Sequence, residues 1–148
     1  MAITGCNLVR FTRHGLQSIR HPWPKVNHRF KVRRQALKLR WWDERHLFPT
    51  GILVDLSYEK IKALKDESIY ELRLTGQIGG QSNIRVVFFD PPKDWVPLVP
   101  YPVVADEQTM RVVWVLEAMP KKRNEWTRAD LDRFSGSQLL IRERFYRV

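Results

Sequence analysis

Apolar positions change their spacing several times along this chain, and the changes mark out its elements. From Val26 to His46 the sequence VNHRFKVRRQALKLRWWDERH carries apolar residues at Val26, Phe30, Leu37 and Trp41, with a second set at Leu39 and Trp42. That spacing predicts a helix from about residue 25, after Pro22 and Pro24, to a point before Pro49. Asn7 to Thr12 alternates as an edge strand does, while Arg13-His14-Gly15 and His21-Pro22-Trp23-Pro24 read as irregular chain. Residues 52 to 64 read as a connection with a short helical turn capped by Ser57.

The period then shortens. Ser68 to Leu74 and Ile84 to Phe89 alternate as strands, joined by a turn-rich stretch from Gly76 to Asn83 that suits a hairpin. Residues 90–109 hold prolines at 91, 92, 97, 100 and 102; lacking ladder donors, they predict a long arm and not sheet interior. Met110 to Glu117 restores the strand pattern. Thr127 then caps a terminal helix carrying Leu131, Phe134, Leu139, Leu140, Ile141 and Phe145, bent or divided at Ser135-Gly136-Ser137. The expected fold is α+β: a small antiparallel sheet, mostly a meander, packed against N-terminal helix, with a C-terminal helix.

Composition refines this picture. The 148 residues are 43% hydrophobic and 28% charged, which suits one folded domain over 1–148 and excludes a disordered or disulfide-stapled chain. Cys6 is the single cysteine, so no internal disulfide or cysteine-based zinc cluster forms, and a reducing cytoplasm is the expected location. No basic segment followed by an apolar run, and no uncharged apolar stretch of about 18 residues, marks a signal peptide or membrane span.

Charge is the first functional clue. The net charge is +10, and it is uneven: residues 1–50 hold 11 basic against 2 acidic residues, residues 51–118 hold 7 against 10, and residues 119–148 hold 8 against 4. Cationic ends on a folded protein suit a polyanion, because each neutralised phosphate releases counterions. Solubility alone and an anionic membrane surface are the competing explanations. Arg33 and Arg34 on the predicted first helix are candidate phosphate contacts or members of a solvated face.

No phosphate-loop, dinucleotide, HExxH, EF-hand or GxSxG pattern occurs, and His14, His21, His28 and His46 lack metal-site spacing, so no metal or cofactor is expected. What remains is a set of cations placed by the expected meander: Arg73 near the end of one strand, Arg85 near the start of the next, and Lys121-Lys122-Arg123 after the last. Converging Arg and Lys grip phosphodiester oxygens and stabilise the charge that grows when a nucleophile attacks phosphorus. RNA brings its own nucleophile, the 2′-hydroxyl, so cleavage needs no metal. Structural ion pairing of Arg73 and Arg85 with Glu71, Asp90 or Glu117 is the competing reading.

At Tyr70-Glu71-Leu72-Arg73, Ile84 to Phe89 and Met119 to Trp126 the chain resembles the RelE/HigB toxins of bacterial toxin–antitoxin modules, most of all the HigB branch. The match runs from 61 to 134, including the approach Leu64-Lys65-Asp66-Glu67-Ser68-Ile69-Tyr70. The resemblance implies a metal-independent ribonuclease that cuts mRNA on the ribosome until a cognate antitoxin neutralises it. By position it gives Arg73 a phosphate-binding role, Arg85 transition-state stabilisation, Lys121 and Arg123 RNA contact, and Tyr146 or Lys122 proton transfer. Glu71 stands where some RelE relatives have a catalytic lysine and the HigB branch commonly has Glu. A ParE-like gyrase inhibitor, or a noncatalytic nucleic-acid-binding relative, is the alternative from another functional class.

Overall fold

The computed structural model describes residues 7–42, 57–98, 111–123 and 125–148. The expectations for Cys6, for His46, for residues 52–56 and for most of the proline-rich arm lie outside the described residues. The first long helix, expected to run on toward Pro49, ends earlier: it is α-helical to Ala36 and 3₁₀ to Trp41, and Trp42 is extended. The strands Ile69–Arg73 (β3), Ile84–Phe89 (β4) and Arg111–Pro120 (β6) form the expected antiparallel meander. Two further strands extend it. Ser57–Lys60 (β2) pairs antiparallel with β3, and Asn7–Phe11 (β1) pairs parallel with β6, giving the mixed order β1-β6-β4-β3-β2.

Three further expectations change. Ser57–Lys60 is strand and not a helical turn, because its backbone is claimed by β3, with Ser57 opposite Arg73 and Lys60 opposite Tyr70; the turn that follows at Lys62–Glu67 is 3₁₀. Arg13–Ser18 is a short helix (α1) and not irregular chain. Thr12 caps it by accepting a hydrogen bond from the Gly15 N–H at 2.9 Å. Third, Arg128–Phe145 (α3) runs unbroken through Ser135-Gly136-Ser137: Gly136 faces open space, and the Ser135 hydroxyl donates to Glu67 at 3.0 Å.

Helix α1 lies along β6 where β1 stops. The Thr12 N–H donates to the Val115 carbonyl at 3.0 Å, and the Ser18 hydroxyl accepts from the Ala118 N–H at 3.1 Å. The approach requires glycine, since a Cβ at Gly15 would stand 2.7 Å from the Val115 carbonyl oxygen.

Helices cover both faces of the sheet. Val26–Ala36 (α2), continued as 3₁₀ over Leu37–Trp41, buries Val32, Ala36, Leu39 and Trp42 against Tyr70, Leu72, Val86, Phe88, Val113 and Val115. Of the two apolar sets read from the sequence, the one with Leu39 and Trp42 is inside, while Val26 and Phe30 are exposed. Trp42 packs edge-on against Tyr70 and Phe88, each with ring centroids 5.0 Å away. The Asn7 side-chain amide donates to the Leu39 and Trp42 carbonyls at 2.9 and 2.7 Å, tying the end of this helical segment to β1. On the other face, α3 buries Phe134 and Ile141 against Ile69, Val87, Phe89, Trp114 and Leu116. Each fully buried side chain of this kind contributes roughly 1.5–3 kcal/mol.

The start of the proline-rich segment joins this second layer. Val96–Pro97 (β5) pairs with Tyr146–Arg147 (β7), and Trp95 packs between Phe89 and Tyr146 at 5.5 Å from each. Val96 and Leu98 remain exposed. No helix among the described residues is long and apolar enough to cross a membrane.

Candidate functional site

Alternation along β3 sends Tyr70 and Leu72 to the α2 face, so Glu71 and Arg73 turn to the α3 face. Register brings Arg85 directly beside Arg73. The third cation is placed by the strand crossing on the other side: where β6 ends, the Lys121 N–H donates to the Asn83 carbonyl at 2.9 Å, and the Asn83 amide donates back to the Lys121 carbonyl at 2.5 Å. Asn83 takes φ of 55°, a left-handed conformation that asparagine tolerates. The meander thereby carries Arg73, Arg85 and Lys121 to one end of one face.

Glu71 stands at their centre, with only 5% of its side chain exposed. Its Oε1 lies 3.5 Å from Arg73 Nη2 and 3.8 Å from Arg85 Nε; its Oε2 lies 3.9 Å from Lys121 Nζ and accepts a 2.7 Å hydrogen bond from the Trp126 indole. The Lys121 ammonium sits 4.5 Å from the centre of the Trp126 ring, a cation–π contact. Arg73, the most open of the three, also reaches Glu59 at 2.5 Å. Three cations thus face two carboxylates, and the exposed Lys122 and Arg123 follow directly in the chain. The field is positive.

Arg85 is unlike an ordinary surface arginine. Its side chain is 13% exposed, and its Nε makes no hydrogen bond among the described residues. Burial lowers its pKa; Glu71 and Glu59 oppose that shift, and the nearby Arg73 adds to it. It remains charged. Its contacts are long: Nε lies 3.8 Å from Glu71, and Nη1 donates to the Ile84 carbonyl at 3.4 Å.

A second buried carboxylate, Glu117, lies on the same face. Between Val87 and Phe88 the ladder slips, so that Val87 faces Glu117 and Phe88 faces Val115; Leu116 is the extra residue. The bulge turns Leu116 and Glu117 to the same side. There Arg133 grips Glu117 through two hydrogen bonds at 3.0 and 3.3 Å and reaches Asp130 at 2.8 Å, while His14 Nε2 lies 3.4 Å from Glu117. Asp130 also closes the capping box with Thr127. Burial raises the Asp130 pKa, but the Thr127 backbone N–H and the Arg133 guanidinium outweigh it, and the net shift is downward.

The remaining residues singled out in the sequence are elsewhere. Arg33 and Arg34 are exposed on α2, on the opposite face, with the Arg33 guanidinium 6.0 Å from the Phe11 ring centre. Tyr146 is buried at the other end of the α3 face, where its hydroxyl accepts from the Trp114 indole at 3.0 Å. Trp114 stands opposite Phe89, four residues from Arg85 and so roughly 13 Å along β4. Glu71 as the organising centre, and Trp126 as its hydrogen-bond donor, were not assigned from the sequence. A charged residue between the strongly apolar neighbours Tyr70 and Leu72 was the available signal. Of the two other carboxylates considered as partners for these arginines, Asp90 pairs with Arg111 and Glu117 with Arg133. Among the described residues no three His, Cys, Asp or Glu side chains gather as a metal-binding group. Compared with known proteins, the chain matches no family model, no curated protein and no solved structure.

Proposed function

We propose that this protein is a toxin-type endoribonuclease that grips an mRNA phosphodiester at the Arg73–Arg85–Lys121 cluster and cleaves it without a metal ion, on the ribosome, under the control of a cognate antitoxin. The observation that carries the reading is the convergence of the three cations on Glu71, with Arg85 largely buried and held only by long contacts. Glu71 is too enclosed to touch RNA. It holds Arg85 and Lys121 in place, and Arg73, Lys122 and Arg123 offer the open contacts to phosphate. In the reaction the RNA 2′-oxygen attacks phosphorus and passes its proton to water. The 5′-oxygen leaves with a proton from the Lys122 ammonium, which water restores, and a 2′,3′-cyclic phosphate remains. The cations stabilise the charge that builds on the nonbridging oxygens.

Induced expression in a bacterial host, with primer extension on a translated reporter mRNA, tests the reading. Translation-dependent cuts are expected from the wild type, and Arg85→Ala is expected to reduce them by about 10²–10³-fold, the usual effect of losing one transition-state donor. Cuts that persist in Arg85→Ala overturn the assignment. One observation favours a second reading, a noncatalytic RNA-binding protein: Tyr146 is remote from the cluster, Glu71 is enclosed, and the one open carboxylate described there, Glu59, is engaged by Arg73 at 2.5 Å. RNA retained by the purified protein without cuts supports that alternative.

A further inference from the structure

A cavity of about 450 Å³ opens between β1, α1 and the C-terminal half of α3, and none of Glu71, Arg73, Arg85 or Lys121 lines it. Its volume falls in the range that holds a small organic ligand. One wall is apolar and partly bare: Leu140 is 50% and Phe145 41% exposed, and the Phe145 ring packs on Trp114 with centroids 4.8 Å apart. The rim is cationic. Arg10, Arg13 and Arg144 line the opening, and no Asp or Glu does; the His14 imidazole also lines it, with its Nε2 3.4 Å from Glu117. Arg10 is anchored there by its guanidinium, 5.4 Å from the centre of the Trp114 ring. Gln17 and Ser137 add hydrogen-bonding groups to the lining.

A ligand that satisfies all three parts has a flat apolar body, polar atoms on its edge and a negative charge within reach of several arginines. A long acyl chain fits the rim but leaves the edge donors and acceptors unused, and a bare anion leaves Leu140 and Phe145 uncovered. We infer that this cavity binds one nucleotide of single-stranded RNA, its base against Leu140 and Phe145 and its phosphate among Arg10, Arg13 and Arg144. Unpaired bases are recognised in this way, by apolar or aromatic contact with hydrogen bonds to their edges. The inference stands on this cavity alone and holds whether or not the Glu71 cluster cleaves RNA.

The test is calorimetric titration of the full chain with adenosine 5′-monophosphate, adenosine, inorganic phosphate and octanoate. The monophosphate is expected to bind more tightly than adenosine or phosphate. Leu140→Glu and Arg144→Glu, both exposed positions on α3, are each expected to weaken it by about tenfold or more, on the scale of a lost contact in a small site. Helix content by circular dichroism shows that the variants fold, and Arg128→Ala, at an exposed position on α3 outside both sites, is expected to leave nucleotide binding unchanged. Phosphate binding as well as the monophosphate reduces the cavity to an anion site and overturns the inference. So does octanoate binding in preference to the nucleotide, or nucleotide binding that is equal in Leu140→Glu and wild type. Loss of mRNA cuts in Arg85→Ala with nucleotide binding intact separates this site from the cleavage reading.

Discussion

Glu71 and Glu117 are buried carboxylates on the same face of the same sheet, and they are used in opposite ways. Glu117 has one dominant partner, the Arg133 fork at 3.0 and 3.3 Å, and Arg133 is shared with Asp130 at the start of α3. The charges there are matched and the geometry is short, as in a pair that fixes a helix to a sheet. Glu71 has three cations at 3.5 to 3.9 Å and takes its one short hydrogen bond from a neutral indole. No cation there is fully satisfied by it. The comparison teaches that a surplus of cations held by long contacts, and not burial of a carboxylate as such, separates the cluster proposed to meet an anion from the pair that fixes a helix to the sheet.

The largest expected effect is at the under-matched centre. Glu71→Gln leaves Arg85 and Lys121, with side chains 13% and 11% exposed, without their shared carboxylate, and is expected to destabilise the fold by about 3–5 kcal/mol in urea unfolding. Glu117→Gln is expected to cost less, about 1–3 kcal/mol, because Arg133 is 42% exposed and turns to water and Asp130. An equal or reversed order would remove the contrast between the two carboxylates. The smallest effect sharpens it. Asp130→Asn loses one arm of the capping box and is expected to cost about 1 kcal/mol. Because the Asp130 pKa is lowered in the folded state, its contribution is complete above the ordinary value of 3.8 and fades as pH falls through the lower folded value. Unfolding midpoints of the wild type and Asp130→Asn are therefore expected to differ at neutral pH, to draw together only as pH falls below 3.8, and to converge below the lowered folded value.

The parts of this arrangement that lie close together in sequence, or on strands with clean alternation, were legible from the chain. Glu71 and Arg73 on β3, Arg85 on β4 and Lys121 after β6 follow from three period-two segments in a meander, and Thr127 announced α3. Parts created by long-range pairing were not. Ser57-Tyr58-Glu59-Lys60 has the composition of a helix start, and only β3 makes it a strand. Strict alternation along β6 puts Glu117 on the same side as Val113 and Val115, facing α2; the bulge at Leu116 reverses that, and no local signal specifies it. Tyr146 was a candidate for proton transfer only through the resemblance to the RelE/HigB toxins, and no local pattern spoke to its burial. The pairing of β7 with β5 and the Trp114 indole bury it.

Helix α1 also bears on how the molecule behaves in company. A sheet whose outer strand ends early leaves its neighbour's carbonyls and amides exposed, a template on which another chain can add a strand and begin to aggregate. Here the six residues of α1 occupy that stretch of β6, with Thr12 and Ser18 taking the ladder atoms that β1 leaves. The seal depends on the missing side chain at Gly15. A bulkier residue there lifts the helix from the strand and turns a closed edge into an adhesive one, so the colloidal stability of the protein rests on a position that contributes nothing to its core.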